Sequence, residues 1–197
     1  MTYPGLISGA DDEDLMILEQ ILGGQKELFV LLVNRYERHI HGMGLSFFRN
    51  SDDASDFTQD VFLKVYRSLD CFEGRSRFST WLYRIAYNTA VNSISRKKEY
   101  SSLAEDDVVP DWDTPERRSL RAELREAVLE AVRELPERYR VCVDMFFFYE
   151  RTYQEIAVIT GFPVNTIKSH VFRAKKFLRE KLEGYIDGYR DIPAKKA

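Results

Sequence analysis

The stretch that most limits how this chain can fold runs from Thr152 to Leu182, TYQEIAVITGFPVNTIKSHVFRAKKFLREKL. Tyr153, Ile156, Ala157 and Ile159 recur at the three- and four-residue spacing of an apolar helix face. Gly161 suits a turn that needs positive φ. Pro163 suits the start of a second helix, where its missing N–H costs nothing. In that second helix Ile167, Val171, Ala174 and Leu178 share the inward face. Thr166, Lys168, Ser169, His170, Arg173 and Lys176 are expected on the opposite, solvent face, with Phe172 among them. Between Pro163 and Lys181 six Lys/Arg stand against one acid, Glu180. A short helix, a tight turn and a basic helix form the helix-turn-helix pattern, whose second helix enters the DNA major groove. A plain antiparallel helix pair with a solvated basic face fits the same spacing.

The rest of the chain reads the same way. Ten glycines and six prolines in 197 residues are few, and no segment alternates apolar and polar residues. The sequence therefore predicts an all-α chain of one domain or two small ones. Net charge is −3 at pH 7, which argues against a bare, uniformly basic nucleic-acid binder. Charge is sorted by segment instead. No acid occurs from Arg75 to Lys98, while Asp11–Asp14 and Glu99–Glu116 are acidic, as expected of separate surfaces for separate partners.

A first helix is expected from near Asp11, its acids placed in the first turn against the helix dipole. A second, from about Gln25 to Asn50, has Leu28, Leu32, Tyr36, Ile40 and Met43 as its stripe. His39 and His41 point to different faces there, so no shared metal is expected. A third, Ser51 to Leu69, buries Phe57, Val61, Val65 and Leu69, with Phe62 beside them. Its other face shows Asp53, Asp56, Gln59 and Asp60, either a solvated face or a docking surface for a basic partner.

The segment CFEGRSRFSTWLYRIAYNTAVNSISRKK follows, free of acids from Arg75 onward. A helix capped near Ser79 or Thr80 places Leu82, Ile85, Ala86 and Thr89 towards a core. Arg84, Asn88, Asn92 and Arg96 repeat every four residues along another face. Basic residues mixed with Phe78, Trp81, Tyr83 and Tyr87 suit a single nucleic-acid strand, whose bases stack on aromatics while phosphates meet Arg and Lys. Core packing is the competing role for each ring.

Residues 99–116, with Pro110 and Pro115, have no helical period and read as a linker. A helix starting near Thr114–Glu116 carries Leu120, Leu124, Val128 and Leu129. Leu135-Pro136 interrupts it, and Tyr139, Val143, Phe146 and Phe147 continue the stripe beneath the helix-turn-helix. The domain reading is 1–98, a linker at 99–116, 117–184, and a frayed tail at 185–197. Cys71 and Cys142 form no paired motif, so a reduced, cytosolic chain is expected, with no signal peptide and no membrane-spanning run.

Two segments resemble a known family. DASDFTQDVFLKVYRSLDCFEGRSRFSTWLYRIAYNTAVN is similar to region two of bacterial extracytoplasmic-function sigma factors, the small two-domain branch of the sigma-70 family. LREAVLEAVRELPERYRVCVDMFFFYERTYQEIAVITGFPVNTIKSHVFRAKKFLREKL resembles their region four. The resemblance implies a subunit that recruits core RNA polymerase to promoter DNA. It implies that Asp53, Asp56, Gln59, Asp60 and Lys64 meet the polymerase. It gives Arg75, Phe78, Ser79, Trp81, Arg84, Asn88, Asn92 and Arg96 the melted −10 strand. Thr166, Lys168, Ser169, His170, Phe172, Arg173 and Lys176 would read the −35 duplex. The linker would run towards the RNA exit path, and an anti-sigma factor would hold the protein inactive, often at the inner membrane.

No catalytic residue, metal, cofactor or small-molecule substrate is expected, because the polymerase supplies the chemistry. Lys168 and His170 stand where arginines are common in the family, which bears on which bases are read, since Arg and Lys differ in bidentate contacts. The rival in the binding class is a stand-alone helix-turn-helix repressor or activator with a sensing N-terminal lobe. The enzyme rival, a serine recombinase, needs an α/β lobe for which no strands are found.

Overall fold

The computed structural model describes residues 9–100 and 120–190. Every regular element among them is helical. Eight α-helices occur in order: α1 (Gly9–Leu22), α2 (Phe29–Phe48), α3 (Ser51–Arg67), α4 (Phe78–Tyr100), α5 (Leu120–Arg133), α6 (Glu137–Val143), α7 (Tyr153–Thr160) and α8 (Val164–Arg190). Two compact units divide them, α1 to α4 building the first and α5, α6 and α8 the second.

In the first unit α2 and α3 form the tightest pair, with α4 packed on both. The predicted stripes are its core, except that Leu28 falls in a 3-10 turn before α2 and is half-buried: Leu32, Tyr36, Ile40 and Met43 from α2, and Phe57, Val61, Val65 and Leu69 from α3 and the turn after it, are all buried. Gly44 lets the two helices close. A Cβ there would stand 2.9 Å from the Phe57 ring and 3.0 Å from Ala54. The α2–α3 junction is sharp because Arg49 caps α2 in the left-handed region, φ 55°, its N–H donating to the Leu45 carbonyl. Asn50 supplies the N-cap of α3. Its side-chain oxygen accepts from the Asp52 and Asp53 N–H groups at 2.8 and 3.0 Å, the bond pattern that gives Asn its preference at this position.

The acidic start of α1 does more than oppose a dipole. Asp14 is fully buried. Its carboxylate accepts from Arg35 at 2.5 Å and from the Tyr36 hydroxyl. Burial, then the Asp14 bond, pushes the Tyr36 phenol well above its ordinary range. Removing Arg35 is costly, because the fully buried Asp14 carboxylate would be left as a desolvated charge. The pair therefore ties α1 to α2. His39 and His41 are engaged separately, at the Tyr83 hydroxyl (2.9 Å) and Ser55 (3.5 Å).

The second unit gathers Leu135, Val143 and Ala174, with Tyr139, Phe177 and Leu178 against them. Here the predicted stripe fails at one place. After Val143 the chain makes a π-helical turn, Asp144–Phe148. Its wider register turns each following side chain away from where a continuous α-helix would put it. Met145 is buried in consequence, whereas Phe147, expected in the stripe, is 48% exposed and Phe148 points outward too.

The helix ends also differ from expectation. α4 starts at Phe78, one residue before the expected Ser79 cap, and continues to Tyr100, past the boundary at 98. α8 continues past Gly184 to Arg190. The helix start near Thr114–Glu116, residues 101–116 of the linker and the first three residues of the 117–184 domain lie outside the described residues, as do residues 191–197 of the tail.

Candidate nucleic-acid interface

Three helix faces carry the polar residues singled out by sequence. On α3, Asp56, Gln59 and Asp60 are exposed and Asp53 is half-buried behind them. Lys64 bonds Asp60 at 2.6 Å and reaches the Thr89 hydroxyl of α4 at 3.3 Å. The Lys64 ammonium thus partly neutralises the lower end of the patch, leaving Asp56 as its exposed carboxylate at the upper end. An exposed i,i+4 pair of this kind contributes only about 0.3–0.5 kcal/mol.

On α4 the structure divides the predicted set. Arg84, Asn88, Asn92 and Arg96 are all exposed, one helical turn apart, on a single face. Arg75 lies outside the helix, exposed and paired with Glu73 at 2.6 Å. Phe78 and Ser79 go the other way. Each is 2% exposed, so neither ring nor hydroxyl presents a surface in this conformation. The reason is position: the first turn of α4 meets α2, where Phe78 packs edge-on to Tyr36 at 5.8 Å. Tyr83 is sealed in as well. Trp81 is half-buried, leaning on Phe72 at 5.3 Å and Phe78 at 5.9 Å between ring centroids. A half-buried indole therefore stands at the N-terminal end of the Arg84–Arg96 row, in contact with two phenyl rings.

The helix-turn-helix is built as its residues dictate. Thr152 and Glu155 form a capping box at the start of α7. The Glu155 carboxylate accepts from the Thr152 N–H at 2.8 Å, and the Thr152 hydroxyl accepts from the Glu155 N–H at 3.2 Å. That reciprocal pair satisfies two otherwise orphaned donors. The T-x-x-E spacing that signals such a box stands in the sequence at Thr152–Glu155. Gly161 adopts φ +76°, as the turn requires. The Pro163 carbonyl accepts from Thr166 and Ile167, starting α8.

On α8, Lys168, Ser169, Phe172, Arg173 and Lys176 are exposed, and Thr166 is half-buried. Phe172 is 70% exposed, the most exposed large apolar side chain among the described residues. Ser169 donates to the Asn165 carbonyl at 2.9 Å, leaving its oxygen free to accept. Lys176 faces Glu180 at 3.8 Å. An open cleft beside the helix is lined by Tyr153, Lys168, Ser169, Phe172, Arg173 and Lys175. Lys175 was not among the predicted residues. Its ammonium sits 5.4 and 5.0 Å from the Phe146 and Phe147 ring centres, so the outward π-turn is what holds it at the rim. Sequence periodicity alone had no means of showing that.

His170 is placed differently from its neighbours. Its ring packs on Tyr139 at 4.9 Å and Phe162 at 5.8 Å, with Cys142 Sγ 3.7 Å from Nδ1. Burial, then the charges of Arg138 and Arg173, hold its pKa below the ordinary histidine value. The half-buried imidazole packs towards α6. Cys142 beneath it is a buried thiol, pushed up to about 12 by burial and so unreactive at neutral pH.

Among the described residues, no group of three His, Cys, Asp or Glu side chains is placed to hold a metal ion. None of the described helices is long and apolar enough to cross a membrane.

Comparison with known proteins bears on both halves of the chain. Residues 32–100 match the sigma-70 region 2 family and residues 125–178 the sigma-70 region 4 family. The ECF RNA polymerase sigma-E factor of Haemophilus influenzae is 36% identical over 181 residues, covering 86% of this chain and 95% of its own. The RNA polymerase sigma-H factor of Pseudomonas aeruginosa is 34% identical, covering 87% and 95%. Among solved structures, RpoE of Bartonella quintana, in complex with the anti-sigma factor NepR, is similar with a TM-score of 0.66 at 22% identity, over 79% of this chain and 96% of that one. CnrH, in complex with the cytosolic domain of CnrY, gives 0.62 at 23% identity, over 86% and 96%. The last two likenesses establish the fold, and the sequence matches establish the family. A stand-alone repressor with a sensing lobe is not favoured, because the N-terminal half matches region 2 as the C-terminal half matches region 4. The chain belongs to the extracytoplasmic-function branch of the sigma-70 family and is a transcription initiation factor.

Proposed function

We propose that three helix faces divide the work of promoter recognition in this chain. The α3 face of Asp53, Asp56, Gln59, Asp60 and Lys64 binds core RNA polymerase. The α4 row of Arg84, Asn88, Asn92 and Arg96, with Arg75 in the preceding loop and Trp81 at its end, holds the melted −10 strand. The α8 face of Lys168, Ser169, Phe172, Arg173 and Lys176, flanked by Thr166, reads the −35 element as duplex. Phe78, Ser79 and His170 support these surfaces from beneath.

The observation that carries the reading is the α4 row. Four exposed side chains repeat at one-turn spacing in a segment free of acids, next to a half-covered indole. A solvated helix face has no need to exclude acids. A face that follows a phosphate backbone does, because each carboxylate would repel it. Asn side chains offer both donors and acceptors to unpaired base edges, and the indole offers a stacking surface.

The polymerase supplies the chemistry, so the chain has no catalytic residues of its own. Its place is the cytoplasm, where core polymerase is found. The solved relatives that share the fold are bound to partner proteins, one named as an anti-sigma factor, and an anti-sigma partner is proposed here as well.

Docking is tested by reversing Asp56 and Asp60 to Lys together. Exposed substitutions seldom unfold a domain, so helicity should be retained while co-elution with core RNA polymerase is lost. Co-elution of the double variant at moderate salt would show the α3 patch to be a solvated face only.

A further inference from the structure

We infer that Tyr139, which lies outside the helix-turn-helix, is a positioning residue for Arg173 and so helps to set the sequence preference of α8. The inference rests on the reading of α8 as the duplex-reading helix. Its own basis is a contact between helices. Arg173 Nη1 donates to the Tyr139 hydroxyl at 3.2 Å. Tyr139 belongs to α6, which packs on α8.

The tyrosine is itself held on several sides. Its ring lies 4.9 Å from the His170 ring, three residues before Arg173 on α8. Phe162 closes the edge of that histidine, and Cys142 Sγ approaches its Nδ1. The Arg138 guanidinium sits 5.4 Å from the Tyr139 ring centre. The hydroxyl is thereby a fixed acceptor beside a flexible, exposed arginine. The Arg173 bond, first among several influences, lowers the phenol pKa, as expected when a cation shares the oxygen.

A free arginine loses rotamer freedom when it engages a base. One held beforehand by an uncharged oxygen has lost part of it already, and its remaining N–H donors are still available. Tyr139 leaves the positive charge intact, whereas a carboxylate partner would have neutralised it. This gives His170 a role as well: its ring keeps Tyr139 over Arg173 and makes no base contact itself.

The test uses holoenzyme assembled from the full chain and core RNA polymerase, with closed-complex affinity measured on promoters varied at each upstream-element position. Tyr139→Phe keeps the ring and its packing on His170 and removes only the acceptor. It should leave the melting temperature unchanged and reduce discrimination at the position read by Arg173 by roughly two- to tenfold, the scale of ordering one long side chain. In an Arg173→Ala background the same change should have no effect. An equal loss on every promoter variant, a gain in affinity, or an undiminished effect without Arg173 would overturn the inference. A separate result, Arg173→Ala that shows no position-dependent loss, would instead overturn the reading of α8 on which it rests.

Discussion

In α4 the aromatic residues of the sequence motif turn inward: Phe78 and Tyr83 are sealed in the first unit's core and Trp81 is half-covered. In α8 the arrangement is reversed, with Ile167, Val171 and Ala174 buried and Phe172 standing free. The two helices proposed to meet DNA thus present different chemistry. α4 offers a polar row with one supported indole. α8 offers a cationic face with an apolar centre. The difference suits their targets. A melted strand exposes base edges and π-faces, which amides and an indole can hold. A duplex shows phosphates and a major groove in which thymine methyls reward an apolar contact.

The largest effect expected from this contrast is on stability. Phe78→Ala should destabilise the first unit by about 3–5 kcal/mol, the usual cost of emptying a phenylalanine site in a core. Phe172→Ala should change stability by less than about 0.5 kcal/mol, as exposed substitutions do, yet lower affinity for the upstream duplex several-fold. Thermal or denaturant unfolding of both variants, beside duplex binding by holoenzyme, measures the pair. If Phe78→Ala folds as well as wild type, the core assignment is wrong and the ring belongs with the DNA surface.

A smaller effect concerns pH. The His170 pKa is lowered in the folded chain by burial and by Arg138 and Arg173. The unfolded state therefore takes up the proton first as pH falls. The contribution to stability is present above about pH 6.5, the ordinary histidine value, and is lost progressively as pH drops towards the folded-state value. Melting followed from pH 7.5 to 5 should show this dependence, and His170→Gln should flatten it. An unchanged profile would mean that the imidazole is solvated and free to face DNA.

The same contrast shows what periodicity can and cannot reveal. The α8 stripe of Ile167, Val171 and Ala174 was legible because one face is apolar and the other polar. α4 is apolar on more than one face, so spacing identified the row from Arg84 to Arg96 but not the fate of Phe78 or Tyr83, which neighbouring helices decide. His170 sits at the flank of the α8 stripe, and only Tyr139 and Phe162, brought from elsewhere in the chain, settle which way it faces. The burial of Asp14 depends on Arg35 and Tyr36, more than twenty residues away. An acidic run at a helix start looks the same with or without such partners. The π turn after Val143 shifts register within a run of three phenylalanines, where every alternative looks equally apolar.

The division between a strand-holding α4 and a duplex-reading α8 is tested most directly by permanganate reactivity of unpaired promoter thymines, measured with holoenzymes carrying Asn88→Ala, Trp81→Ala or Lys176→Ala. The account predicts that both α4 variants bind the closed promoter almost as wild type does but open it poorly. A premelted bubble should partly rescue Trp81→Ala, whose indole acts at the edge of melting, and not Asn88→Ala, whose amide must still hold the strand. Lys176→Ala should weaken closed-complex binding on every sequence alike and flatten its salt dependence, while the complexes that do form still open. If Asn88→Ala and Trp81→Ala melt promoters at the wild-type rate, α4 does not hold the strand and the division fails.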